Sequence, residues 1–393
     1  MKRILFFSLI IFFGISCSKN DPSSLSQGGS TGTGGGTGGV GTGGGGGVGT
    51  GGGGTGYSTN VSPFQQGEKI GSLSSARADM ASVICNNKFV FAGGYTNQYV
   101  TSTDVDIFDP TTNTIQTAQL SMARNSITGV ANGNKAFFAG GCGNGWLNPV
   151  SRIDIYSATT NTWSIAELSV ARHHMAVAAI GDKVFFAGGI TNYPAVTSRV
   201  DIYNMTTNTW STAELSESRG DFSAAVVGNK ILFAGGRTNT GDGSTKKVDI
   251  YDASVNSWST TELSLPHMGL TSIVLNSKAY FAGSNYGLAL SITEVYDAGT
   301  NSWSTLTLTE GKVWIPMGTS NSKLAFIGGM LGWFNHSKKI EVYNTLNNTW
   351  AYTYMNADLL FESIISYNNV IYSAGGAVNE GDDPISGIFK LSF

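Results

Sequence analysis

The sequence predicts an all-β fold built from seven similar repeats, and three periodic features support this prediction. A Gly-Gly pair, usually preceded by Phe-Ala, recurs at steps of 45 to 48 residues. An aromatic residue follows each pair at a nearly constant offset, and most of these aromatics are followed seven residues later by tryptophan. Such a period is typical of repeat architectures, in which each unit packs on its neighbours because it is too short to bury its own core.

The three series of repeated residues can be read directly along the chain. The leading glycines are Gly93, Gly140, Gly188, Gly235, Gly283, Gly328 and Gly375. The aromatics are Phe108, Tyr156, Tyr203, Tyr251, Tyr296, Tyr343 and Phe389. The tryptophans are Trp163, Trp210, Trp258, Trp303 and Trp350, with Ile115 at this position in the first unit.

The third unit illustrates how each repeat is expected to fold. Residues 175–180 are predicted as a first strand, and residues 184–187 as a second strand that ends at the glycine pair. A loop of ten residues leads to a third strand at residues 200–203, and Trp210 begins a fourth. The intervening turns carry glycine or asparagine, which readily adopt left-handed backbone conformations. Each unit is therefore predicted to be a four-stranded antiparallel meander.

The combined spacing of glycine pair, aromatic and tryptophan resembles the kelch repeat over about residues 68–393. This resemblance implies a seven-bladed kelch-type β-propeller with one repeat to each blade. The seventh repeat ends after its third strand, whereas residues 69–77 match the fourth-strand endings of other units, such as residues 166–172. The N-terminal segment is therefore predicted to complete the last blade, which would leave no open strand edge.

The N-terminus reads as a targeting segment. Two basic residues precede an apolar run at residues 4–15, which is too short to span a bilayer, so residues 1–16 are predicted to be a signal peptide. Cys17 stands where a bacterial lipoprotein is cut and acylated, although Gly14 and Ile15 depart from the usual residues before such a cysteine. Plain secretion is the alternative. Residues 18–21 resemble the segment that directs some lipoproteins of the outer membrane to the cell surface.

A tether is expected to separate this anchor from the folded part. Residues 28–56 contain 20 glycines in 29 positions, and such a segment buries too little apolar area to fold. The expected organisation is a signal peptide at 1–16, a lipidated and Gly-rich linker at 17–56, and the propeller at 57–393.

Charge and cysteine content exclude several classes of function. Without the first 16 residues the chain has 21 basic and 26 acidic residues and no basic patch, so we expect no nucleic-acid partner. Cys85 and Cys142 are expected at opposite strand ends, as free thiols without a disulfide or a zinc site. No cofactor and no metal are predicted.

Candidate ligand-contacting residues cluster on one predicted face, where the loops after the glycine pairs vary in length and sequence. On this face, most units have a cationic residue before the first strand. The residues at this position are Arg77, Arg124, Arg172, Arg219, His267 and Lys312, with Leu359 in the last unit. In kelch domains that bind acidic peptides, similarly placed residues line the pocket. The alternative, which we favour, is that these cations pair with carboxylates as part of the scaffold.

Aromatic and histidine side chains on the same face are further binding candidates. They are Trp146, Tyr193, Trp314, Trp333 and His173, with His174 beside the last. Aromatic rings among polar neighbours suit stacking on sugars or anchoring of a protein partner.

No catalytic residue is predicted. Asp106, Asp154, Asp201, Asp249, Glu294 and Glu341 precede the repeated aromatics by two residues. Their presence in six units indicates a structural role rather than acid–base chemistry. Some kelch-type enzymes oxidise sugars or epimerise sialic acid, and an arginine with Asp221 is compatible with such chemistry, but no enzyme motif matches residue by residue.

Three functions remain open from the sequence. The favoured one is a non-enzymatic binding module, lipid-anchored in the cell envelope, that binds a glycan or protein partner on the loop face. The alternatives are a glycan- or sialic-acid-modifying enzyme and a structural or adhesive surface module.

Overall fold

The fold is known from a computed structural model that describes residues 57–58, 67–143, 148–239, 243–285, 288–331, 336–355, 362–378 and 383–391. The predicted signal peptide, the acylation site Cys17 and the Gly-rich linker lie outside these residues. Within the described ranges the secondary structure is almost entirely β, apart from a short 3-10 turn at Asn97–Tyr99. None of these residues belongs to a helix long and apolar enough to cross a membrane.

Two short strands precede the repeats, which we number as meanders 1 to 7. These strands are β1 (Tyr57–Ser58) and β2 (Glu68–Ser72). Meander 1 contains β3 (Ala81–Cys85), β4 (Lys88–Ala92), β5 (Asp104–Asp109) and β6 (Thr114–Gln119). Meander 2 contains β7 (Thr128–Asn132), β8 (Lys135–Ala139), β9 (Arg152–Ser157) and β10 (Thr162–Glu167).

Meanders 3 to 5 follow the same order, with additional or fused strands. Meander 3 contains β11 (Ala176–Ile180), β12 (Lys183–Ala187), a small hairpin of β13 (Ile190–Asn192) and β14 (Ala195–Val196), then β15 (Arg199–Asn204) and β16 (Thr209–Glu214). Meander 4 contains β17 (Ser223–Val227), β18 (Lys230–Ala234), β19 (Thr245–Asp252) and the start of β20 (Ser257–Leu275). Meander 5 contains the rest of β20, β21 (Lys278–Asn285), β22 (Leu288–Asp297) and β23 (Ser302–Lys312).

The last two meanders also incorporate strands from the N-terminal segment. Meander 6 contains β24 (Met317–Ser320), β25 (Lys323–Ile327), β26 (Lys339–Asn344) and β27 (Thr349–Tyr354), and β1 pairs with β27 in parallel. Meander 7 contains β28 (Ser363–Tyr367), β29 (Val370–Ala374), the hairpin strands β30 (Ala377–Val378) and β31 (Asp383–Pro384), and β32 (Gly387–Leu391).

The second strand of each meander forms the centre of the core. In β12 the last four residues, Val-Phe-Phe-Ala, are all buried, because neighbouring sheets cover both faces of the strand. Phe185 packs against Tyr251 of meander 4 with ring centroids 4.6 Å apart, and Phe137 of meander 2 packs against Tyr203 at 5.7 Å. The repeated aromatics therefore join consecutive meanders, as a chain of mutually dependent units requires.

The predicted strands of the third unit are confirmed to within a residue or two at each end. The loop that the sequence placed between its second and third strands contains the extra hairpin of β13 and β14. A second difference concerns Phe389, which the spacing counted among the repeated aromatics. Phe389 pairs with Ser373 in the register that the repeated carboxylates occupy elsewhere, and Leu391 takes the aromatic position. Leu391 follows Gly375 by 16 residues, the same offset as in meanders 2 and 4, so the sequence spacing selected a nearby aromatic two residues too early.

Hydrogen bonds connect the meanders in a consistent pattern. The second glycine of a pair donates its N–H to the carbonyl of the cationic residue that opens the next meander, as Gly189 does to Arg219 at 2.8 Å. Gly376 of meander 7 makes the same bond to Arg77 of meander 1 at 3.0 Å. The two terminal meanders are therefore neighbours.

The N-terminal segment pairs with the last meander, as the sequence predicted. Strand β2 runs antiparallel to β32, with Glu68 opposite Lys390 and Ser72 opposite Gly387. The sheet order is β2, β32, β29 and β28, so β2 supplies the fourth strand that the seventh repeat lacks.

Candidate functional site

The cations that open the first strands are buried inside the scaffold. Each is fully inaccessible to solvent, and each lies beside a repeated carboxylate of its own meander. The pairs are Arg77–Asp106, Arg124–Asp154, Arg172–Asp201, Arg219–Asp249, His267–Glu294 and Lys312–Glu341.

Meander 3 shows the geometry of one such pair. Arg172 Nη2 lies 2.7 Å from Asp201 Oδ2 and also donates to the carbonyl of Phe186 at 3.0 Å. The backbone N–H of Ser169 donates to the same carboxylate at 3.3 Å. Burial lowers the pKa of Arg172 from its usual value, while the Asp201 charge opposes that shift. The pair thus ties the first strand, the third strand and the link between meanders together.

These pairs correct the hypothesis that the six cations contact a ligand. A side chain with no exposed surface cannot bind a partner on the loop face, and the adjacent carboxylate neutralises its charge. The scaffold residues are therefore Arg77, Arg124, Arg172, Arg219, His267 and Lys312. The structural role predicted for the six carboxylates is confirmed.

A different set of residues lies at the same end of the first strands. The residue two positions after each cation has a left-handed backbone, with φ between 46° and 57°, although five of the six are not glycine. We call this set the strand-start cluster: Asp79, Ser126, His174, Asp221, Gly269 and Trp314. Non-glycine residues in this conformation are strained by roughly 1–3 kcal/mol each, and such strain concentrates at functional sites.

Members of the strand-start cluster contact one another across meander boundaries. Asp79 Oδ2 accepts hydrogen bonds from the backbone N–H and the hydroxyl of Ser126, at 3.0 and 2.9 Å. Asp221 accepts from Gly269 N–H through its carbonyl at 2.7 Å and donates its own N–H to the carbonyl of His174. A Cβ on Gly269 would lie 3.0 Å from Trp314 Nε1, so the absence of a side chain there leaves room for the indole.

The family comparison matches two of the repeats. The Kelch motif model matches residues 171–214 and 218–261, which begin beside Arg172 and Arg219 and cover meander 3 and most of meander 4. The protein carries kelch repeats. No curated protein matches the chain. Kelch repeats are general protein-interaction modules.

Two adjacent histidines give the kelch meander 3 a distinct polar centre. His173 Nδ1 and His174 Nδ1 lie 2.7 Å apart, so one nitrogen carries the proton and the other accepts it. Burial, followed by the nearby His174 and Arg237, lowers the pKa of His173 to about 3, so this ring is neutral near pH 7. His174 Nδ1 also lies 3.6 Å from Asp221 Oδ1, and about a third of its side chain is exposed.

The Asp79 carboxyl is the perturbed acid of the strand-start cluster. Burial raises its pKa, whereas the charge of His174 and the hydrogen bonds from Ser126 act in the opposite direction. Asp79 and His174 are 95 residues apart in sequence, yet the charge of His174 acts on the Asp79 carboxyl.

The remaining predicted binding residues have different outcomes. Trp314 belongs to the strand-start cluster and is 40% exposed. His173 is buried behind His174, and Tyr193 is partly buried, with its ring over the Arg237 guanidinium. Trp146 and Trp333 lie outside the described residues.

Metal and thiol chemistry have no support in the described ranges. No group of three or more His, Cys, Asp or Glu side chains there is placed to hold a metal ion. Cys85 and Cys142 are buried thiols outside any disulfide, as predicted, and burial raises the pKa of Cys142 to about 12. A thiol with such a pKa is a poor nucleophile at neutral pH.

The sequence prediction missed Asp79 and Ser126. Aligning the repeats on their first-strand cations would have revealed them, since the position two residues later carries five different residue types over six units. Variation at one position of a repeated scaffold is the pattern that a binding surface produces.

Proposed function

We propose that the protein is a binding module of the cell envelope that binds a glycan or protein partner through the strand-start cluster. One observation carries the proposal. Six equivalent positions share a left-handed backbone, neighbouring members contact one another across meanders, and five different residue types occupy the six positions. The scaffold around them repeats closely, so the variation is concentrated where a ligand would discriminate.

A screen for the ligand tests this proposal. Residues 57–393 would be applied to a glycan array and used in a pull-down, beside a variant with His174→Ala and Trp314→Ala. We expect a ligand that the wild-type protein retains and the variant loses, with both proteins folded by circular dichroism. Equal retention by the two proteins would contradict the proposal, because binding would then lie elsewhere.

Attachment to the envelope is the second part of the proposal, and it depends on Cys17. An acyl chain contributes about 0.8 kcal/mol per buried CH₂, and two or more chains give stable anchoring. Cys17→Ser is therefore expected to move the protein from the membrane fraction to the soluble fraction. A wild-type protein without lipid label, fractionating like the variant, would rule out the anchor.

An enzyme acting on a sugar is a second candidate, favoured by one observation. The raised pKa of Asp79 beside His174 and Ser126 is the type of perturbed carboxyl that supports proton transfer. Incubation of array hits with the protein, followed by mass spectrometry and proton NMR, would detect altered sugars. Turnover that Asp79→Asn abolishes, with ligand binding retained, would favour the enzyme over the binding module.

A further inference from the structure

Arg237 is a buried cation that differs from the six scaffold cations. It follows the glycine pair of meander 4, and its backbone exchanges hydrogen bonds with Gly220, at 2.7 and 3.0 Å, directly beside Asp221 of the strand-start cluster. The residue is only 5% exposed. Its charge also acts on His173, the residue before His174 of the strand-start cluster.

The guanidinium of Arg237 has no carboxylate partner among the described residues. Arg219 also leaves one Nη1 atom without a hydrogen bond, but Asp249 neutralises its charge at 2.6 Å. Arg237 Nη2 donates to the backbone carbonyl of Pro194 at 3.1 Å, and its Nη1 is buried without a partner. A neutral carbonyl is a weak acceptor for a buried charge, which is costly to keep unpaired.

The two groups that cover Arg237 come from one turn. The Tyr193 ring centroid lies 4.5 Å from the guanidinium, and the Pro194 carbonyl belongs to the same turn between β13 and β14. Pro194 is exposed on the surface. A carboxylate would replace this carbonyl with two parallel charge-assisted hydrogen bonds, to Nη1 and Nη2, which is the geometry that arginine favours.

The neighbouring groups define what else the ligand must carry. Asp221 follows Gly220, whose backbone pairs with that of Arg237, and His174, beside Asp221, acts electrostatically on Asp79. These two carboxyls and the Ser126 hydroxyl supply hydrogen-bond acceptors, and the two carboxyls disfavour a ligand with several negative charges. A sugar ring with one carboxylate and several hydroxyl donors fits this arrangement, and exposed Trp314 suits stacking on the ring. An acidic peptide with consecutive carboxylates would be repelled by both aspartates.

We propose that Arg237 is a carboxylate-binding residue of the strand-start cluster, and that its ligand is a sugar of the uronic acid class. The sugar carboxylate takes the place of the Pro194 carbonyl on the guanidinium, while the turn at Tyr193 moves aside. This inference rests on the proposed function, since it names the ligand class of the same site.

Binding of three small probes tests the inference. D-Glucuronate, methyl glucoside and N-acetylglutamate amide would be titrated into residues 57–393 and followed by saturation-transfer NMR. We expect glucuronate to bind roughly tenfold or more tightly than methyl glucoside, and increasing salt to reduce the difference. Arg237→Met is expected to remove the preference. Arg237→Lys, which keeps the charge without the planar fork, is expected to retain part of it.

A matched control separates a ligand contact from a structural role. Arg199→Met removes a surface arginine paired with Glu214 at 3.0 Å, and it should leave both sugar affinities unchanged. The melting temperature of Arg237→Met should remain near that of the wild type, whereas Arg219→Met should lower it. The inference would be overturned if Arg237→Met lowered the melting temperature as much as Arg219→Met does and the preference for glucuronate persisted in both Arg237→Met and Arg237→Lys.

The outcomes also separate this inference from the proposed function. If both sugars bind equally, Arg237→Met has no effect and the His174→Ala, Trp314→Ala variant loses binding, the proposed function stands and the carboxylate inference is wrong. Arg237-dependent binding of the glutamate probe alone would show that the sugar class is wrong. Absence of sugar binding by the wild-type protein overturns the inference as well.

Discussion

At the scale of single residues, a buried arginine contributes to this fold only in combination with its carboxylate. Arg172 and Asp201 are both inaccessible or nearly so, and their charges lie 2.7 Å apart. Removal of one partner leaves an uncompensated charge in a medium of low polarity, which typically costs about 3–5 kcal/mol.

The first prediction concerns this pair. Asp201→Asn is expected to lower the unfolding free energy by about 3–5 kcal/mol, because the Arg172 charge then has no counterion. Glu214→Gln, which breaks the exposed Arg199–Glu214 pair, is expected to change it by about 0–1 kcal/mol. Urea unfolding followed by tryptophan fluorescence measures both. Similar values for the two variants would refute the scaffold role of the buried pairs.

Glu362 provides a second prediction at this scale. It occupies the position at which the other meanders carry apolar residues such as Met175 and Phe222, and its Oε2 accepts a hydrogen bond from the Ser373 hydroxyl at 2.6 Å. Burial raises its pKa from 4.5 to about 7, so the folded protein holds this proton more tightly than the unfolded chain.

The sign of the pH dependence follows from that shift. The contribution of Glu362 to stability is complete below its unfolded pKa and is lost as pH rises to about 7, at about 1.4 kcal/mol per pH unit. Glu362→Gln should remove this slope, so the stability of the variant should increase relative to that of the wild type between pH 5 and about 7. Parallel stability curves for both proteins across that range would contradict the assignment.

At the scale of elements, the glycine pairs determine how closely consecutive meanders approach. Gly188 has φ of 58°, and a Cβ there would lie 2.5 Å from the carbonyl oxygen of Arg219 in the next meander. Gly181, in the turn after β11, has the same φ, but a Cβ would meet nothing within 4 Å. A Cβ at Gly181 would therefore cause backbone strain alone, whereas a Cβ at Gly188 would cause both strain and a steric clash.

The third prediction compares alanine substitutions at these two glycines, which have the same φ. Gly181→Ala is expected to cost about 1–2 kcal/mol through backbone strain alone. Gly188→Ala should cost more, because strain is joined by a clash that separates meanders 3 and 4. Thermal unfolding of the two variants side by side measures the difference. If Gly181→Ala were the more damaging, the close approach at Gly188 would not be important for stability.

Most of this element-level structure could be predicted from the sequence, whereas the site could be predicted only in part. The Val-Phe-Phe-Ala strand, the glycine pair and the turn asparagines each have a local physical cause, so their pattern was readable. The burial of Arg172 could not be predicted from the local sequence, because its partner Asp201 is 29 residues away and only the register of the folded strands brings them together. The left-handed backbone at Ser126 and Trp314 likewise could not be predicted, because neither residue type favours that conformation.

At the scale of the whole molecule, the first and last meanders contact each other. Strand β2 pairs with β32, and Phe89 of meander 1 packs against Tyr372 of meander 7 with ring centroids 4.8 Å apart. Both contacts join residues from opposite ends of the folded part. An unpaired β32 edge would be open to pairing with another chain.

The fourth prediction is that the ring closes through this N-terminal strand. Deletion of residues 57–76 should lower the melting temperature and promote association, because β32 loses its partner. Size-exclusion chromatography with light scattering and differential scanning calorimetry would compare the truncated protein with residues 57–393. A truncated protein that stays monomeric and melts at the same temperature would show that closure does not depend on β2.

The location of the ligand site can be tested by comparing the two ends of the first strands. The strongest ligand from the screen would be titrated by calorimetry into the wild-type protein, the His174→Ala, Trp314→Ala variant, and a Val255→Ala, Leu346→Ala variant. Val255 and Leu346 are exposed at the turns between third and fourth strands, at the opposite end of the scaffold. We predict that binding is lost only in the strand-start variant. Loss of binding only in the turn variant would contradict the account.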